Sequence, residues 1–354
     1  MKYNFWKNKK VLITGHTGFK GSWLTLVLSS LGARITGYAL NPISKPNLFD
    51  GLNLSKFLEN DYRYNILDFE KIKSVILKKK PQIILHLAAQ SSVLESYRTP
   101  LSTISSNIMG TANLLEASRS SKTVKSVVIA TTDKVYLNLE KKKPFKEVDK
   151  LGGHDVYSGS KAAAEIISQS YMKSFFKKKF CNIATVRSGN CIGGGDWTKD
   201  RIVKDCAETF LKNKKLIIRS PNATRPWQHV LEPLFGYLKL SEKLFRNKKY
   251  QGAWNFGPST KNNLKVIEVA NLGKKILKSK SKIVIKKNKF YESTSLSLNS
   301  KKSLNLLKWK TMLNAKEALK LSFDWYKFFK NNKLNSKIIK YTFDQIKDYK
   351  KIIN

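Results

Sequence analysis

Short apolar runs alternate with longer stretches of helical spacing through the first half of the chain. The runs predict strands at residues 11–14, 34–40, 82–87, 126–131 and 183–187. The stretches between them predict helices at residues 19–31, 101–118 and 156–175. Because strands that alternate with helices form parallel sheets covered on both faces, we expect an α/β protein with a doubly wound parallel sheet.

The pattern changes after Arg187, where three consecutive glycines at 193–195 lie in a loop-like segment. Beyond them the elements no longer alternate strictly, with predicted helices at 233–245 and 315–329 and a predicted strand at 253–256. This change predicts a smaller C-terminal α/β domain. We expect a first domain at residues 1–187, to which 228–257 returns, a second domain at 188–227 and 258–330, and a lysine-rich tail at 331–354 that is helical over 342–352.

Composition excludes several classes of protein. The chain has 354 residues, 41% of them hydrophobic, which is enough for a buried core and too apolar for a disordered chain. No apolar run approaches the ~20 residues of a membrane span, and the N-terminus lacks a signal-peptide pattern, so we expect no membrane association. Three cysteines without a C-x-x-C pair favour a reducing cytoplasm, and no residues have metal-ligand spacing.

The net charge of +42 raises the alternative of a nucleic acid or another polyanion as partner. Of the 67 basic residues, however, 58 are lysine and nine are arginine, and none of the arginines lies beyond Arg246. Proteins that bind nucleic acid depend on arginine for bidentate and stacked contacts. We therefore interpret most of the charge as a solvated surface and expect no nucleic-acid partner.

A glycine-rich turn follows the first predicted strand. Gly15, Gly18 and Gly21 form G-x-x-G-x-x-G between that strand and the next helix. Glycine permits a tight turn, and the free N–H groups of a helix N-terminus bind a pyrophosphate, so the context predicts dinucleotide binding through Gly15, Thr17, Gly18, Phe19, Lys20 and Gly21. The alternative is an ordinary strand–helix turn that binds no nucleotide. The 3+3 spacing resembles the short-chain dehydrogenase/reductase superfamily.

The choice of dinucleotide stays open at this point. A ribose-binding acid usually ends the second strand, but residues 37–41 contain neither an acid nor an arginine. Asn65 and Ile66 stand where related proteins often carry Asp-Ile beside the adenine. The second strand by itself therefore does not separate NAD from NADP.

Tyr157 and Lys161 form a Y-x-x-x-K pattern on a predicted helix. Residues i and i+4 share a helix face, so the Lys161 ammonium lies beside Tyr157 and favours its phenolate form. Tyr157 can then accept a proton from a substrate hydroxyl while hydride leaves the same carbon. The alternative is a Tyr–Lys pair on the surface.

A polar cluster, Thr132-Asp133-Lys134, follows the strand predicted at 126–131. Ligands of open α/β sheets bind outside the carboxyl ends of the strands, which places this cluster in the site. An acid and a base beside a redox tyrosine suit the elimination of water, because oxidation of one sugar carbon acidifies the neighbouring C–H. The alternative is a structural salt bridge at a strand end.

Longer motifs resemble the CDP-glucose 4,6-dehydratases over nearly the whole chain. They comprise T-G-H-T-G-F-K-G-S-W-L at 14–24, H-L-A-A-Q at 86–90, S-Y-R at 96–98, N-I-M-G-T at 107–111, G-N-C-I-G-G-G-D-W at 189–197, R-P-W-Q-H-V-L-E-P at 225–233 and W-N-F-G-P at 254–258. Thr342, Gln345, Ile346 and Tyr349 are similar to that family's C-terminal helix. The resemblance implies a Rossmann-type doubly wound parallel sheet with a smaller C-terminal α/β substrate-binding domain.

The resemblance also implies an activity. Hydride passes from sugar C4 to NAD as Tyr157 takes the hydroxyl proton, water leaves across C5–C6, and hydride returns to C6 to give CDP-4-dehydro-6-deoxyglucose. By analogy Asp133 is the acid for the 6-hydroxyl, Lys134 the C5 base, and Thr132 a ligand of the substrate hydroxyl. Related dTDP-glucose dehydratases carry Asp-Glu at this pair, whereas some UDP-amino-sugar dehydratases carry Asp-Lys. Another nucleotide-sugar dehydratase or a 4-epimerase therefore remains an alternative.

The resemblance assigns the remaining site residues and partners. The cofactor site would gain Asn65, Ile66, Leu87, Ala88, Ala89 and Gln90. The substrate site would contain Asn190, Arg201, Arg225, Trp227 and His229. For His229 the alternative is a hydrogen-bonded histidine at the start of a helix. Relatives form homodimers through helices that flank the sheet, so the resemblance implies a homodimer or a higher homo-oligomer that pairs here through 101–118 and 156–175. Departures at Asn65 and at residues 291–299 leave adenine recognition and the contacts of that segment open.

Overall fold

The computed structural model describes residues 3–139, 143–177, 181–260, 263–286, 296–332 and 336–353. Its strands are β1 Lys10–Thr14, β2 Arg34–Tyr38, β3 Asn60–Tyr62, β4 Ile83–His86, β5 Ser126–Ala130, β6 Asn182–Ser188, β7 Cys191–Ile192, β8 Leu216–Ile218, β9 Thr224–Pro226, β10 Gln228–His229, β11 Gly252–Phe256, β12 Asn263–Lys265 and β13 Ile283–Ile285. Its α-helices are α1 Phe19–Ser29, α2 Leu48–Gly51, α3 Phe69–Lys79, α4 Val93–Arg98, α5 Pro100–Ile104, α6 Gly110–Arg119, α7 Val156–Ser174, α8 Ile202–Leu211, α9 Leu231–Arg246, α10 Val266–Ile276, α11 Lys301–Leu307, α12 Ala315–Asn332 and α13 Ser336–Ile353. Single 3₁₀ turns and one π-helical turn, Ser105–Met109, join these elements.

Seven strands form one parallel sheet in the order β11-β6-β5-β4-β1-β2-β3. The chain moves outward from β1 to β3 and then crosses to β4 on the other side of β1. The order therefore reverses between β1 and β4, and ligands of such sheets bind at this switch point, outside the carboxyl ends of the strands.

Both faces of the sheet are buried, because successive side chains of a strand point to opposite faces. Val11 and Ile13 of β1 enter one hydrophobic core, with side chains of α1, α9 and α12. Leu12, between them, enters a second core with side chains of α3 and α6. The predicted doubly wound α/β sheet is confirmed.

The predicted strands and helices of the first half agree with the structure to within a few residues at each end. The helix predicted at 101–118 is divided into α5, the π-helical turn and α6. Strand β3 and helix α3 were absent from the sequence-based expectation. Helix α3 begins at an Asp68 cap, whose side chain accepts from the Lys71 N–H, and buries Ile72, Val75 and Ile76.

The second half supplies two kinds of element. Strand β11 extends the large sheet beside β6, and α9 packs against β5 and β6. The pairs β7–β10, β9–β12 and β8–β13 form small separate sheets. The expected division into domains, with the return of 228–257 to the first, stays a prediction.

The lysine-rich C-terminal segment differs from a solvated tail. Helix α13 buries Ile338, Ile346 and Tyr349 against the core that contains α12. The Trp325 indole N–H donates to Thr342 Oγ1 at 2.9 Å, which ties α12 to α13. An apolar stripe at helical spacing drives this docking, and the lysines occupy the remaining face. No helix among the described residues combines the length and apolarity needed to cross a bilayer.

Candidate active site

The glycine turn lies between β1 and α1 at the switch point. Gly15 has φ +75°, and a Cβ there would lie 2.6 Å from the Ala88 backbone nitrogen. A Cβ on Gly21 would lie 2.1 Å from the Gly15 carbonyl oxygen. Only glycine fits both positions, so the turn stays narrow and the N-terminus of α1 opens toward the carboxyl edge of the sheet.

Side chains hold this turn against the neighbouring strand ends. Thr17 Oγ1 donates to the Leu40 carbonyl at 2.9 Å, just beyond β2. On the other side, Thr14 Oγ1 accepts from the Ala88 N–H at 3.3 Å and lies 2.7 Å from His86 Nδ1. The turn is thus fixed to both strands that flank β1.

The segment after β4 approaches helix α7 through one asparagine. Leu87, Ala88, Ala89 and Gln90 are all partly exposed along the cleft. The Gln90 N–H donates to Asn107 Oδ1 at 2.9 Å, and Asn107 Nδ2 donates to Ser160 Oγ at 2.9 Å. Asn107 therefore links the predicted cofactor segment to the helix that carries Tyr157 and Lys161.

At the far end of the cleft, Asn65 is exposed and Ile66 is buried. The Asn65 carbonyl accepts from the Tyr38 hydroxyl at 2.9 Å, and its side chain accepts from the Leu67 N–H at 3.0 Å. The Ile66 side chain packs against Gly110, where a Cβ would lie 2.6 Å from Ile66 Cγ2. The expected contact of Asn65 and Ile66 with the adenine depends on their position just after the end of β3.

A chain of side chains beside this end was missed by sequence reasoning. His16 Nε2 lies 2.8 Å from Asp61 Oδ1, and Asp61 Oδ2 lies 2.7 Å from Arg63 Nη2. Burial would raise the pKa of Asp61, but hydrogen bonds and charges from His16 and Arg63 hold the pKa below its usual value. The His16 ring crosses Gly37, which no other residue type would allow. Three positions separated in sequence thus connect the turn to the end of β3.

Tyr157 and Lys161 lie in the first turns of α7 and are both buried. Lys161 Nζ donates to the Ala130 carbonyl at 2.9 Å, which places it at the carboxyl end of β5. Burial, together with the Lys20 charge, lowers the pKa of Lys161 to about 8. Burial and the Lys161 charge likewise lower the pKa of His86 to about 3, so this histidine is neutral.

The polar cluster after β5 begins with Thr132, which caps the 3₁₀ turn Asp133–Val135. Asp133 Oδ1 accepts from Thr132 Oγ1 at 3.0 Å and from Lys134 Nζ at 3.1 Å. Asp133 is only 1% exposed, and its Oδ2 has no hydrogen-bond partner among the described residues. Helix α7 packs on this turn, so the cluster lies next to the helix that carries Tyr157.

A buried ion pair between Glu165 and Arg187 connects α7 to the sheet. Glu165 follows Lys161 by one helical turn and accepts from Arg187 Nε at 2.9 Å and Nη2 at 3.0 Å. Its carboxylate also accepts from the hydroxyls of Thr131 at 2.6 Å and Thr185 at 2.5 Å. The pair therefore fixes α7 to β5 and β6. No sequence motif indicates this role of Glu165, since its partner Arg187 lies on a strand that follows it in the chain and meets it only in the fold.

The predicted substrate residues differ in their exposure to the cleft. Asn190 and Arg201 are partly or well exposed, and Arg201 Nη2 donates to the Ser91 carbonyl at 3.3 Å across the cleft. Arg225 is buried and donates to the Thr224 carbonyl. The Trp227 indole N–H is bonded to the Leu264 carbonyl at 2.9 Å, an arrangement that packs the ring rather than presenting it for stacking.

His229 lies in the interior. It is fully buried, accepts from the Leu231 N–H at 3.4 Å, and burial lowers its pKa to about 3. This geometry matches a neutral, hydrogen-bonded histidine at the start of α9 and gives the ring no surface on the cleft. A direct contact with nucleotide stays a prediction that this placement does not support.

The site fits a dinucleotide and has the groups for proton transfer. The narrow turn, the free N–H groups of α1 and the buried Lys161 provide the features that a pyrophosphate and a ribose need. Within the described ranges, no three His, Cys, Asp or Glu side chains lie close enough together to hold a metal ion.

The chain matches known proteins over most of its length. The family model described as GDP-mannose 4,6 dehydratase matches residues 12–321. The chain is 45% identical over 261 residues to a CDP-glucose 4,6-dehydratase of Salmonella typhimurium, covering 72% of this chain and 72% of that protein.

Solved structures share the fold. A dTDP-glucose 4,6-dehydratase of Bacillus anthracis in complex with NAD superposes with a TM-score of 0.78 at 21% identity, covering 92% of this chain and 98% of that one. A UDP-glucose 4-epimerase of Thermotoga maritima with UDP-glucose superposes with a TM-score of 0.79 at 21% identity, covering 90% and 98%. At these identities the superpositions establish the Rossmann-type fold. The extent of the family match and the 45% identity show more: the chain belongs to the GDP-mannose 4,6 dehydratase family of enzymes.

Proposed function

We propose that this enzyme is an NAD-dependent CDP-glucose 4,6-dehydratase that converts CDP-glucose to CDP-4-dehydro-6-deoxyglucose and water. The observation that carries the proposal is the Asp133–Lys134 pair, hydrogen-bonded at 3.1 Å beside the helix of Tyr157 and Lys161. A 4-epimerase needs the redox tyrosine but no acid and base for elimination. The 45% identity to a protein named CDP-glucose 4,6-dehydratase supports the choice of nucleotide.

Tyr157 accepts the proton of the sugar 4-hydroxyl when hydride leaves C4. The buried Lys161 ammonium favours the phenolate form of Tyr157 that accepts this proton, and its hydrogen bond to the Ala130 carbonyl fixes its position. NAD, when bound, supplies the hydride acceptor. The glycine turn, which the Thr17 hydroxyl fixes to the Leu40 carbonyl, and the segment Leu87–Gln90 would hold it.

Lys134 gives a proton to Asp133 along their 3.1 Å hydrogen bond. The neutral amine then removes the C5 proton, and Asp133 gives its proton to the departing 6-hydroxyl, which leaves as water. Hydride returns to C6 while the Lys134 ammonium protonates C5, and the proton that Tyr157 took from the 4-hydroxyl passes through solvent to Lys134, which restores both groups. The buried Oδ2 of Asp133, without a protein partner, is the oxygen we assign to the sugar 6-hydroxyl.

The substrate diphosphate meets the positive groups on the other wall of the cleft. Arg201 extends across it to Ser91, and Asn190 lies at the loop after β6. We assign Arg201 and Asn190 to direct contact and Arg225 to the support of this wall, because Arg225 is buried and bonded to Thr224. Trp227 is assigned to packing.

Incubation of the purified enzyme with CDP-, dTDP-, GDP- and UDP-glucose, followed by product NMR, tests the proposal. CDP-glucose should give a 4-keto-6-deoxy sugar, without net NADH and with solvent deuterium at C5 in D₂O. Turnover of another nucleotide sugar with no product from CDP-glucose would refute the substrate assignment.

Lys134→Ala tests the elimination step. It should lower turnover about 10²–10⁴-fold, the usual contribution of a general base, while hydride transfer from C4 still produces bound NADH. Lys122→Ala, which removes an exposed lysine on the loop before β5, is the matched control. Full activity of Lys134→Ala would favour a simple epimerase instead.

We also propose that the enzyme is a homodimer. Leu101, Ile104 and Met109 on the segment from α5 to α6 and Ile166 on α7 are exposed, and α5 packs against α7, so these apolar side chains lie on neighbouring helices. Sedimentation of the full chain should show a dimer, and Leu101→Glu combined with Ile166→Glu should give a monomer. Leu77→Glu, at an exposed position of α3, should leave the mass unchanged.

A further inference from the structure

Gly189 follows Ser188, the last residue of β6, and is buried beside the proposed acid. Its φ lies outside the left-handed region, so the backbone does not require a glycine there. The restriction is steric, because a Cβ would lie 2.8 Å from Pro226 Cγ and 3.1 Å from Asp133 Oδ2. The outer oxygen of Asp133 therefore packs against the bare backbone of residue 189.

Neighbouring contacts hold the backbone of Gly189 in place. On one side, Ser188 pairs with β11 in the large sheet, and its Oγ accepts from Lys20 Nζ at 2.9 Å. On the other side, the Asn190 carbonyl accepts from the Gln228 N–H at 3.1 Å. A shift of this segment would break these bonds, so it does not readily make room for a side chain at residue 189.

Of the two groups that a side chain at residue 189 would meet, Asp133 is the more mobile. The Pro226 ring is closed onto its own backbone, which is paired with β12. Asp133 is held only through Oδ1, by Thr132 and Lys134, whereas its Oδ2 has no partner among the described residues. The carboxylate is thus the group that a side chain at residue 189 would displace.

The two halves of the proposed reaction depend on this carboxylate to different degrees. In the oxidation, hydride passes from C4 to NAD and the hydroxyl proton passes to Tyr157, and Asp133 takes no part. In the elimination, the C5–H electron pair becomes the C5=C6 bond as Lys134 takes the proton, and the C6–O pair leaves with the oxygen. Asp133 protonates that oxygen to give water, and such a transfer needs a heavy-atom distance of about 2.6–3.2 Å. A displaced Oδ2 therefore slows the elimination and leaves the oxidation intact.

We infer that Gly189 is a positioning residue that acts through Asp133: the missing side chain lets Oδ2 occupy the place from which it protonates the departing 6-hydroxyl. The residue at position 189 then decides whether the oxidised sugar proceeds to elimination or stays as the 4-keto sugar beside bound NADH. This inference rests on the proposed function, which supplies the oxidation at C4 and the assignment of Oδ2 to the 6-hydroxyl.

Gly189→Ala in the full-length enzyme, loaded with NAD, tests the inference in a single turnover of CDP-glucose. NADH absorbance should rise at the wild-type rate and then persist, because hydride cannot return to C6 before the C5=C6 bond forms. Product NMR should show elimination slowed about 10–100-fold, since a misplacement of about 1 Å can cost about 10²-fold. Gly159→Ala, where a Cβ meets nothing within 4 Å, is the matched control and should behave as the wild type.

Two further measurements distinguish this role from general structural support. CDP-6-deoxyglucose has no hydroxyl to eliminate, so the wild type and Gly189→Ala should oxidise it at C4 at equal rates. In an Asp133→Asn enzyme, Gly189→Ala should slow the elimination no further, since both changes act on the same group.

Three results would overturn the inference: elimination at the wild-type rate in Gly189→Ala, a parallel loss of C4 oxidation, or independent effects of the two substitutions. If Gly189→Ala does not fold, its combination with Pro226→Ala removes the contact at 2.8 Å and keeps the contact with Asp133. That variant should show the same persistent NADH, and its absence would equally overturn the inference. Failure of the wild type to form a 4-keto-6-deoxy sugar from CDP-glucose would instead refute the proposed function, and the wild type alone reveals it.

Discussion

The buried Glu165–Arg187 pair provides the sharpest test of how the site is supported. Glu165 is fully buried and Arg187 is 1% exposed. Arg187→Met removes two charge-assisted bonds, at 2.9 and 3.0 Å, and leaves the carboxylate with only the Thr131 and Thr185 hydroxyls. Removing one member of a buried pair typically costs about 3–5 kcal/mol, because the other charge stays desolvated.

Arg187 also donates hydrogen bonds to groups other than Glu165, and the range of about 3–5 kcal/mol for a broken ion pair does not include them. Its Nη1 donates to the Tyr136 hydroxyl at 2.7 Å and to the Glu147 carbonyl at 3.1 Å, and Tyr136 continues to Asn255 Oδ1 at 2.7 Å. We therefore expect Arg187→Met near the upper end of that range. Because Glu165 lies on α7, four residues after Lys161, the variant should also lose activity mainly in kcat.

Equilibrium urea unfolding, followed by circular dichroism and tryptophan fluorescence, measures the loss. The double variant Glu165→Leu/Arg187→Met should be less destabilised than the sum of the two single variants, since no charge is left unpaired. Arg34→Met, which breaks the exposed Arg34–Glu59 pair, should leave the free energy of unfolding close to that of the wild type. A loss below about 1 kcal/mol for Arg187→Met, or strict additivity in the double variant, would refute this reasoning.

Three further predictions follow from single positions. Gly159→Ala should raise the free energy of unfolding by about 0.5–1 kcal/mol and keep activity, because the glycine is inside α7 and a Cβ there meets nothing within 4 Å; a destabilised variant in urea unfolding would contradict this. Gly15→Ala should weaken NAD binding at least about tenfold in calorimetry, because its Cβ would lie 2.6 Å from the Ala88 nitrogen in a residue with φ +75°; unchanged affinity would show that the turn adapts. Burial raises the pKa of Glu232 from 4.5 to about 7, although hydrogen bonds from Tyr349, Leu313 and Met312 act in the opposite direction. The protonated Glu232 carboxyl therefore stabilises the fold at low pH, and this stabilisation is lost as the pH rises through about 7. Glu232→Gln should therefore flatten the change in thermal midpoint between pH 5 and pH 8, and a profile parallel to the wild type would exclude this role.

Local sequence was enough to predict the elements that form the floor of the site. Strands β1, β4, β5 and β6 are short apolar runs, and their side chains are buried whichever face they point to, so the apolar pattern alone predicts them. The glycine turn and the Tyr157–Lys161 spacing are also local, because a turn or one helical face needs only neighbouring residues. Strand β3 was missed because Asn60, Asp61 and Tyr62 are partly exposed at the sheet edge and carry no apolar run.

The sequence by itself determined the fold class, the cofactor turn and the identity of the polar groups after β5, since each depends on residues close together in the chain. Only the tertiary structure decided which of those groups meet. It brought Lys20 to Ser188, Arg187 to Glu165 and Asp61 to His16, and it buried His229 away from the cleft. It also docked the lysine-rich C-terminal helix α13 onto the core. These outcomes depend on strand order and helix packing, which set distances between residues tens to hundreds of positions apart and leave no periodic trace in the sequence.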